Sequence, residues 1–413
     1  MKRKILSLLM ASALAASCAF SSCSFIEGFL NNSSTEQIAS TVTLTEYTDV
    51  LDIHSQLQKD YLFSQDPAVM ASMINGRTEY SKPVSVQLTW EDTVDCNNYT
   101  VTISETEDFA NPKKILSAEK SVEVYNLKIA TTYYWKVTQN IKDGTTSKMG
   151  TFKTVEYGPR NLYIDGVTNV RDVGGWMTSS GTRMVQGLMY RGAKLNESYS
   201  TGYVAKNGVR DENCVVEALI TAAGKKTFTN ELGIKTEIDL RATNGNGYPG
   251  GSAEGSVDQA PTIGSVVEGV NYIAIPMNND AKIGTNKEQV KLFFETLADK
   301  NNYPIYYHCN IGMNRTGMVS FLLGAICGVD EQTLYYDYMF SNFGTIALPT
   351  PWDNNRQPTA LWELTSVEDG IGAAGVVNTF PGKTLQEKAE NCLKDCGVTQ
   401  ETLDAVRNIM LGQ

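Results

Sequence analysis

The residues of this chain best suited to chemistry are a cysteine, an arginine and a threonine in one short segment, His308-Cys309-Asn310-Ile311-Gly312-Met313-Asn314-Arg315-Thr316. A thiolate is a strong nucleophile, and a guanidinium can hold two oxygens of a phosphate in its planar fork. We therefore expect Cys309 to attack phosphorus and Arg315 to stabilise the transition state. The Thr316 hydroxyl is close enough in sequence to donate a hydrogen bond to the sulfur when it leaves.

The flanking residues predict the elements that position this segment. Pro304-Ile305-Tyr306-Tyr307 is typical of a buried strand, and the apolar run 318–326, followed by Gly328, predicts a helix and its C-cap. The loop amides would then lie at a helix N-terminus, which binds phosphate-sized anions. The same helix terminus, together with Arg315, is expected to lower the pKa of the Cys309 thiol from about 8.5 toward roughly 3.5–7.5. The expected phosphate-binding residues are Asn310, Ile311, Gly312, Met313, Asn314 and Arg315.

His-Cys-x5-Arg-Thr resembles the signature loop of the cysteine-dependent protein tyrosine phosphatases. Three further segments resemble motifs of the bacterial tyrosine and lipid phosphatase branch, in the same order: Asn169-Val170-Arg171-Asp172-Val173-Gly174-Gly175, Tyr190-Arg191-Gly192-Ala193-Lys194-Leu195 and Gly233-Ile234-Lys235-Thr236-Glu237-Ile238-Asp239-Leu240-Arg241. The resemblance covers roughly residues 159–411. It implies an α/β phosphatase domain that needs no cofactor or metal. Within this range strand and helix patterns alternate, which predicts a mostly parallel sheet flanked by helices.

The chain departs from this branch in the loop itself, where Met313 and Asn314 occupy the places of the usual Lys-Asp. The missing aspartate removes one proposed proton donor. The position of Asp280, after the segment 270–275 that predicts a strand, is similar to that of the general acid in dual-specificity phosphatases. We therefore assign that role to Asp280, with Asp239 and Asp172 as lesser candidates.

The other polar residues of the four motifs are expected to support the loop rather than to react. His308 is expected to bond the loop backbone, and Asp172 to join loops. Arg191 and Arg241 are expected to orient the phosphate loop or to stabilise a buried carboxylate such as Asp239.

Residues 82–156 alternate apolar and polar side chains with period two, as in 84–90 and 127–137. The pattern is similar to a fibronectin type III domain, with Tyr133 in the place of the tyrosine corner and Trp90 in the core. We therefore predict an N-terminal all-β sandwich, followed by the tyrosine-phosphatase-like domain at 157–413. Residues 24–81 are interpreted as a tether and a short helical segment. The segment 349–381 lacks periodicity and predicts a long loop.

Residues 1–23 resemble a signal peptide: Lys2-Arg3-Lys4 precedes a short apolar run and two cysteines, Cys18 and Cys23, that follow small residues. We interpret it as a lipoprotein signal, although an ordinary secretory peptide fits the same residues. The expected location is outside the cytoplasm, at a bacterial membrane (periplasmic or cell surface), with membrane contact only through the lipid anchor. The net charge of −11 argues against a nucleic-acid partner.

Histidine counts exclude several other classes of hydrolase. The chain has two histidines, His54 and His308, too few for a histidine-rich metal centre or for most Ser-His-Asp triads.

The favoured hypothesis is an exported phosphomonoester hydrolase acting on a phosphorylated protein or small phosphate ester. The alternatives are a phosphoinositide or inositol polyphosphate phosphatase and, in another class, an inactive surface protein that captures phosphorylated ligands. The partner of the sandwich region is left open.

Overall fold

The computed structural model describes residues 40–196, 218–241, 264–278, 281–347, 357–368 and 371–413, in which an all-β region is followed by an α/β region. The strands of the all-β region are β1 (Val42–Leu44), β2 (Val50–Leu51), β3 (Val86–Asp92), β4 (Tyr99–Ser104), β5 (Lys113–Ser117), β6 (Ser121–Val124), β7 (Thr132–Gln139) and β8 (Gly150–Thr154).

These strands form two sheets around one apolar core. The strand orders are β1-β3-β6 and β2-β8-β7-β4-β5. Trp90 and Trp135 are fully buried between the sheets because alternate residues of β3 and β7 point inward. The backbone N–H of Lys128 donates to the Tyr133 hydroxyl at 2.7 Å, the hydrogen bond of a tyrosine corner. Membership of the fibronectin type III family stays a prediction.

The all-β region differs from the sequence prediction at its N-terminal boundary. The sequence placed that boundary at residue 82, but β1 pairs with β3 and β2 pairs with β8, so strands from the expected tether complete both sheets. Period-two alternation over two or three residues is too short to be detected in a sequence. The part of the expected tether that precedes residue 40, and the expected signal at 1–23, lie outside the described residues.

The helical segment between β2 and β3 packs on the α/β region. It contains α1 (Gln56–Leu62), a 3₁₀ turn (Pro67–Val69) and α2 (Met70–Met73). The ring of Tyr61 lies edge-on to Tyr336 and Phe343, with centroids 5.2 and 5.8 Å away. The segment is therefore part of the core of the α/β region.

The α/β region is built on a mostly parallel sheet, as the sequence predicted. Its strands are β9 (Arg171–Asp172), β10 (Met189–Gly192), β11 (Thr236–Asp239), β12 (Asn271–Ala274) and β13 (Ile305–His308), in the order β12-β11-β13-β10-β9. Only β9 runs antiparallel to its neighbour among these pairings. The helices are α3 (Ala222–Lys226), α4 (Lys287–Leu297), α5 (Asn314–Ile326), α6 (Glu331–Phe340), α7 (Leu361–Thr365), α8 (Ala373–Thr379), α9 (Leu385–Asp395) and α10 (Gln400–Leu411), with a π-helical turn at Thr227–Glu231.

The central strand β13 and the helix α5 carry the candidate site. Strand β13 is buried at every position, and α5 is buried from Arg315 to Ile326 because its sequence is apolar almost all round. Gly328 has a φ of +85°, which confirms the expected C-cap glycine. The loop between them lies at the carboxyl end of the parallel strands, where α/β folds place their ligands.

The segment 349–381 is not the long loop that the sequence predicted. Its described part contains α7 and α8, whose buried residues include Leu364, Ala373 and Val377. Helices of five and seven residues have weak local patterns and are stabilised mainly by the core they pack on. Within the described residues, no helix is long and apolar enough to cross a membrane.

Candidate active site

The segment singled out by the sequence forms a buried loop between β13 and α5. Cys309 follows β13 directly and is 1% exposed, and Arg315 lies in the first turn of α5 at 4% exposure. The residue before the helix, Met313, makes no side-chain hydrogen bond to the first helical turn. The first amide N–H groups of α5 are therefore not capped by that residue, and a helix terminus of this kind attracts anions.

The carbonyl groups of the loop are held from outside by two polar side chains. Asn169 Nδ2 donates to the carbonyl oxygens of Ile311 at 3.0 Å and of Gly312 at 3.2 Å. Arg191 Nη2 donates to the same Gly312 oxygen at 3.0 Å. Because a peptide carbonyl and the next N–H point in opposite directions, fixing these carbonyls outward turns the following N–H groups toward the inside of the loop.

Gly312 is required at its position by backbone conformation and by space. Its φ is +70°, which is strained for residues with a side chain. A Cβ atom on Gly312 would also collide with the carbonyl group of Gly192 at the end of β10. The loop can therefore close against β10 only with glycine at this point.

A buried carboxylate on α6 anchors both arginines behind the loop. Asp337 Oδ1 accepts from Arg171 Nε at 2.8 Å, and Asp337 Oδ2 accepts from Arg191 Nη1 at 2.7 Å. Arg171 also donates to Asn169 Oδ1 at 2.6 Å. Burial by itself would raise the pKa of Asp337, but Arg171 and Arg191 outweigh that cost and hold this pKa below its usual range. The loop thus depends on an ionised Asp337.

Replacing Asp337 with asparagine is expected to destabilise the protein strongly, because it leaves two buried guanidinium groups without their shared counter-charge. We expect a loss of about 3–5 kcal/mol in the free energy of unfolding at neutral pH. The difference in unfolding free energy between wild type and variant should become smaller below about pH 4. A carboxylate with a depressed pKa stabilises the fold above its unfolded pKa of about 3.9, and this stabilisation is lost as falling pH protonates it in the folded state. Urea unfolding followed by circular dichroism across this pH range measures both effects.

The matched control is Asp395→Asn, which removes a carboxylate from an exposed ion pair with Lys287. This control should leave the midpoint of unfolding unchanged within error, because solvent screens exposed pairs. Equal destabilisation by the two variants would contradict the anchoring role of Asp337.

A second buried charge cluster lies beneath Cys309. His308 Nδ1 is 2.8 Å from the carbonyl oxygen of Cys309, and its Nε2 is 2.9 Å from Glu237 Oε1. Arg241 pairs with Asp239 at 2.6 Å. Burial would raise the pKa of Asp239, but the Arg241 guanidinium holds it below its usual range. Asp239 is therefore held as an anion, unlike a general acid, which must carry a proton.

Glu237, Asp239 and His308 place possible ligand atoms within 4.8 Å of one another, a spacing that a metal ion can use. The residues do not fit a metal centre, because Asp239 is already neutralised by Arg241 and His308 bonds through both ring nitrogens. A cation would have to displace these partners. We describe the group as an ion-pair network.

The other aspartates considered for proton transfer are placed differently. Asp172 is fully buried, where it accepts from Arg160 Nη1 at 2.7 Å and from the backbone N–H of Gly174 at 2.8 Å. Arg160 also donates to backbone carbonyls of the all-β region, so Asp172 helps to join the two regions. Asp280 lies outside the described residues.

The segment that leads to Asp280 contacts the arginine of the loop. Arg315 Nη1 lies 3.5 Å from the carbonyl oxygen of Met277 and 3.4 Å from that of Leu240. Met277 stands three positions before Asp280 in the sequence.

The remaining loop residues divide into buried and part-exposed positions. Thr316 is fully buried, and its hydroxyl makes no hydrogen bond to the described residues, which leaves it available to the sulfur. Met313 is 2% exposed and belongs to the apolar core. Asn310 and Asn314 are half-buried, each with its side-chain oxygen enclosed and without a hydrogen-bond partner among the described residues.

Sequence reasoning missed two residues of the site, Glu237 and Asp337. Glu237 stands beside Ile238 in a strand-like string, Ile-Lys-Thr-Glu-Ile-Asp-Leu, and Asp337 is the one acid in the aromatic and apolar string Leu-Tyr-Tyr-Asp-Tyr-Met-Phe. A carboxylate in a buried element needs a compensating charge, so each acid was a detectable signal that a partner was near.

The sequence matches the tyrosine phosphatase family over residues 162–210 and 216–412, more than half of the chain. This range contains Cys309, Arg315 and the residues that hold their loop. The chain belongs to the tyrosine phosphatase family. This family member is accordingly a phosphatase of the tyrosine-phosphatase-like type, and its all-β region lies outside the matched range.

Among solved structures, the chain is similar to the core catalytic domain of the PP-IP phosphatase SIW14 from S. cerevisiae, solved in complex with citrate. The two share 13% identity over 40% of this chain and 78% of that one, with a TM-score of 0.25. No curated protein matches the chain significantly.

Proposed function

We propose that this family member hydrolyses phosphate monoesters through a cysteinyl-phosphate intermediate on Cys309. The observation that carries the proposal is the loop itself: Asn169 and Arg191 fix its carbonyls outward, with Cys309 and Arg315 buried at the N-terminus of α5. Inward amides and a guanidinium together stabilise the equatorial oxygens of a pentacoordinate phosphorus.

The reaction has two displacements at phosphorus. Cys309 Sγ forms a bond to phosphorus while the ester P–O bond breaks, and the leaving oxygen takes a proton from the general acid. Water then attacks phosphorus, gives its proton to the same carboxylate and breaks the S–P bond. The departing thiolate is stabilised by the helix terminus and by the Thr316 hydroxyl. The products are inorganic phosphate and the enzyme, with the thiolate and the protonated general acid restored.

We assign the general acid to Asp280, supported by the contact between Arg315 and Met277, which precedes it in the chain. Asp280→Asn is expected to lower kcat for alkyl phosphates by about 10²- to 10³-fold, and much less for p-nitrophenyl phosphate, whose leaving group needs no proton. In the same variant, the fall in rate at high pH that the deprotonation of Asp280 causes should disappear from the pH–rate profile. An unchanged rate for alkyl phosphates would move the role to another residue.

The proposed substrate is a phosphorylated tyrosine or a similar monophosphate ester. Met313 supports this choice, because the position that holds lysine in the related branch is here a buried core methionine that adds no charge to the loop. Inositol polyphosphates and phosphoinositides carry several anionic groups and need more positive charge. They remain the alternative substrate class.

The test uses the purified full-length chain with p-nitrophenyl phosphate, with and without a chelator, followed by phosphopeptides, phosphoinositides and inositol polyphosphates. We expect chelator-insensitive turnover and a preference for phosphotyrosine peptides. Loss of activity with the chelator would contradict the thiol mechanism. Retained binding of phosphate esters without turnover would support the alternative of an inactive capture protein.

We further propose export and lipid anchoring through Cys18 or Cys23, and a fibronectin type III type for the all-β region. The motivation is the positively charged, then apolar, N-terminal sequence and the tyrosine corner at Tyr133. Metabolic labelling with a fatty acid, compared between wild type and the Cys18→Ala and Cys23→Ala variants, tests the anchor. Absence of label in the wild type would contradict it.

A further inference from the structure

Glu237 is a charged residue in the middle of the central sheet. It lies on β11, is fully buried and is paired in register with Tyr306 of β13. A carboxylate at such a position is costly unless a positive group lies against it. The group against it is the ring of His308, at 2.9 Å between Oε1 and Nε2.

Both ring nitrogens of His308 face oxygen acceptors. Nε2 faces the Glu237 carboxylate, and Nδ1 faces the backbone carbonyl of Cys309 at 2.8 Å. A backbone carbonyl can only accept a hydrogen bond, so Nδ1 donates to it; Nε2 also donates when Glu237 is the carboxylate of the proposal below. A histidine that donates from both nitrogens is an imidazolium cation.

The groups around this ring balance its charge. On β11, Glu237 and Asp239 face the ring, and the guanidinium of Arg241 neutralises Asp239. On β12, the Tyr272 hydroxyl donates to Asp239 at 2.9 Å. On β13, the centroid of the Tyr306 ring is 5.7 Å from that of His308. Burial alone would lower the pKa of His308, but Asp239 and Glu237 outweigh burial and raise it. Two carboxylates are thus matched by one guanidinium and one imidazolium.

We propose, building on the cysteinyl-phosphate reaction above, that Glu237 is a positioning residue that keeps His308 as a buried imidazolium beneath the nucleophile. The His308 Nδ1–H then holds the Cys309 carbonyl, which fixes the first peptide of the phosphate loop. Along the hydrogen-bond chain, His308 bonds to the residue that carries the sulfur, and Glu237 bonds to the other side of the His308 ring. The net field of the pair therefore favours the ionised sulfur.

The first measurement is NMR of the imidazole nitrogens in full-length protein labelled at histidine. The chain has two histidines, and His54→Asn assigns their signals. At about pH 8, roughly 1.5 units above the ordinary histidine pKa of about 6.5, we expect His308 to show two protonated ring nitrogens. A neutral His308 ring at that pH would overturn the proposal.

The second measurement is the pH dependence of Cys309 alkylation by iodoacetamide, with protection by inorganic phosphate to identify the site. In Glu237→Gln the side chain keeps its shape but loses its charge, so His308 loses one of the two carboxylates that favour its protonated form. We expect the alkylation midpoint to rise by roughly half a unit to one unit. An unchanged or lowered midpoint would contradict the positioning role.

Tyr272→Phe is the matched control, because it removes a part-buried hydrogen bond of the same cluster and leaves the Glu237 carboxyl group in place. It should leave both the His308 ring signals and the alkylation midpoint at wild-type values. If Glu237→Gln fails to fold, the wild-type ring state still decides the proposal. The ring state and the alkylation profile do not require turnover, so failure of the proposed enzymatic function is recognised separately by the absence of phosphate-ester hydrolysis.

Discussion

Serine in place of Cys309 is expected to lower kcat by a factor on the order of 10⁴ to 10⁶. The hydroxyl has nearly the same size, so the loop should keep its conformation. Its pKa, however, is far above that of a thiol, and the helix terminus and Arg315 cannot hold it ionised at neutral pH. Single-turnover assays with p-nitrophenyl phosphate, and mass spectrometry of acid-quenched wild type for phosphate on Cys309, measure the effect.

The matched control is Cys96→Ser, which makes the same atomic change at a buried cysteine of the all-β region. It should retain wild-type kcat. The Cys309→Ser variant should still bind phosphate esters, since the amides and Arg315 remain. Turnover in Cys309→Ser within tenfold of the wild type would remove the cysteine from the mechanism.

Arg315→Lys is expected to lower kcat by about 10²- to 10³-fold, although the positive charge is kept. A lysine ammonium is a point donor and cannot bridge two equatorial oxygens as the planar guanidinium does. Lysine also cannot reproduce the paired approach to the carbonyls of Leu240 and Met277, which lie 3.4 and 3.5 Å from Arg315 Nη1. Because the effect arises mainly in the transition state, kcat should fall more than KM rises.

Arg183→Lys provides the comparison for Arg315→Lys. Arg183 donates to the backbone carbonyls of Glu156 and Gly175, at the junction of the two regions and not at the phosphate loop. The same exchange there should leave kcat unchanged. A uniform rise in KM with constant kcat in Arg315→Lys would show ground-state binding only, against the role proposed here.

The order of local elements around the site could be predicted from the sequence. The apolar run before His308 and the one after Arg315 predicted a buried strand and a helix, and the structure has β13 and α5 there. The mostly parallel sheet likewise followed from strands alternating with helical patterns. These features depend on interactions between residues close in sequence, and the spacing of apolar side chains along the sequence shows such interactions.

Contacts between remote residues could not be predicted in the same way. Asp337 pairs with Arg171 and Arg191 across 166 and 146 residues, and Glu237 pairs with His308 across 71. Several arginines and acids were available in the sequence, and nothing local selects one pairing over another. The short helices α7 and α8 are similar cases, because the core that stabilises them comes from elsewhere in the chain.

The sequence by itself singled out the cysteine and the arginine that we propose to react, and predicted the strand–loop–helix that carries them, because all are contained in one continuous segment with local signals. Only the tertiary structure decided how that segment is held: which carboxylate anchors its arginines, and which one lies against His308. The physical reason is that a buried charge must find its counter-charge in space, and the packing of β10, β11, β13 and α6 brings these partners together.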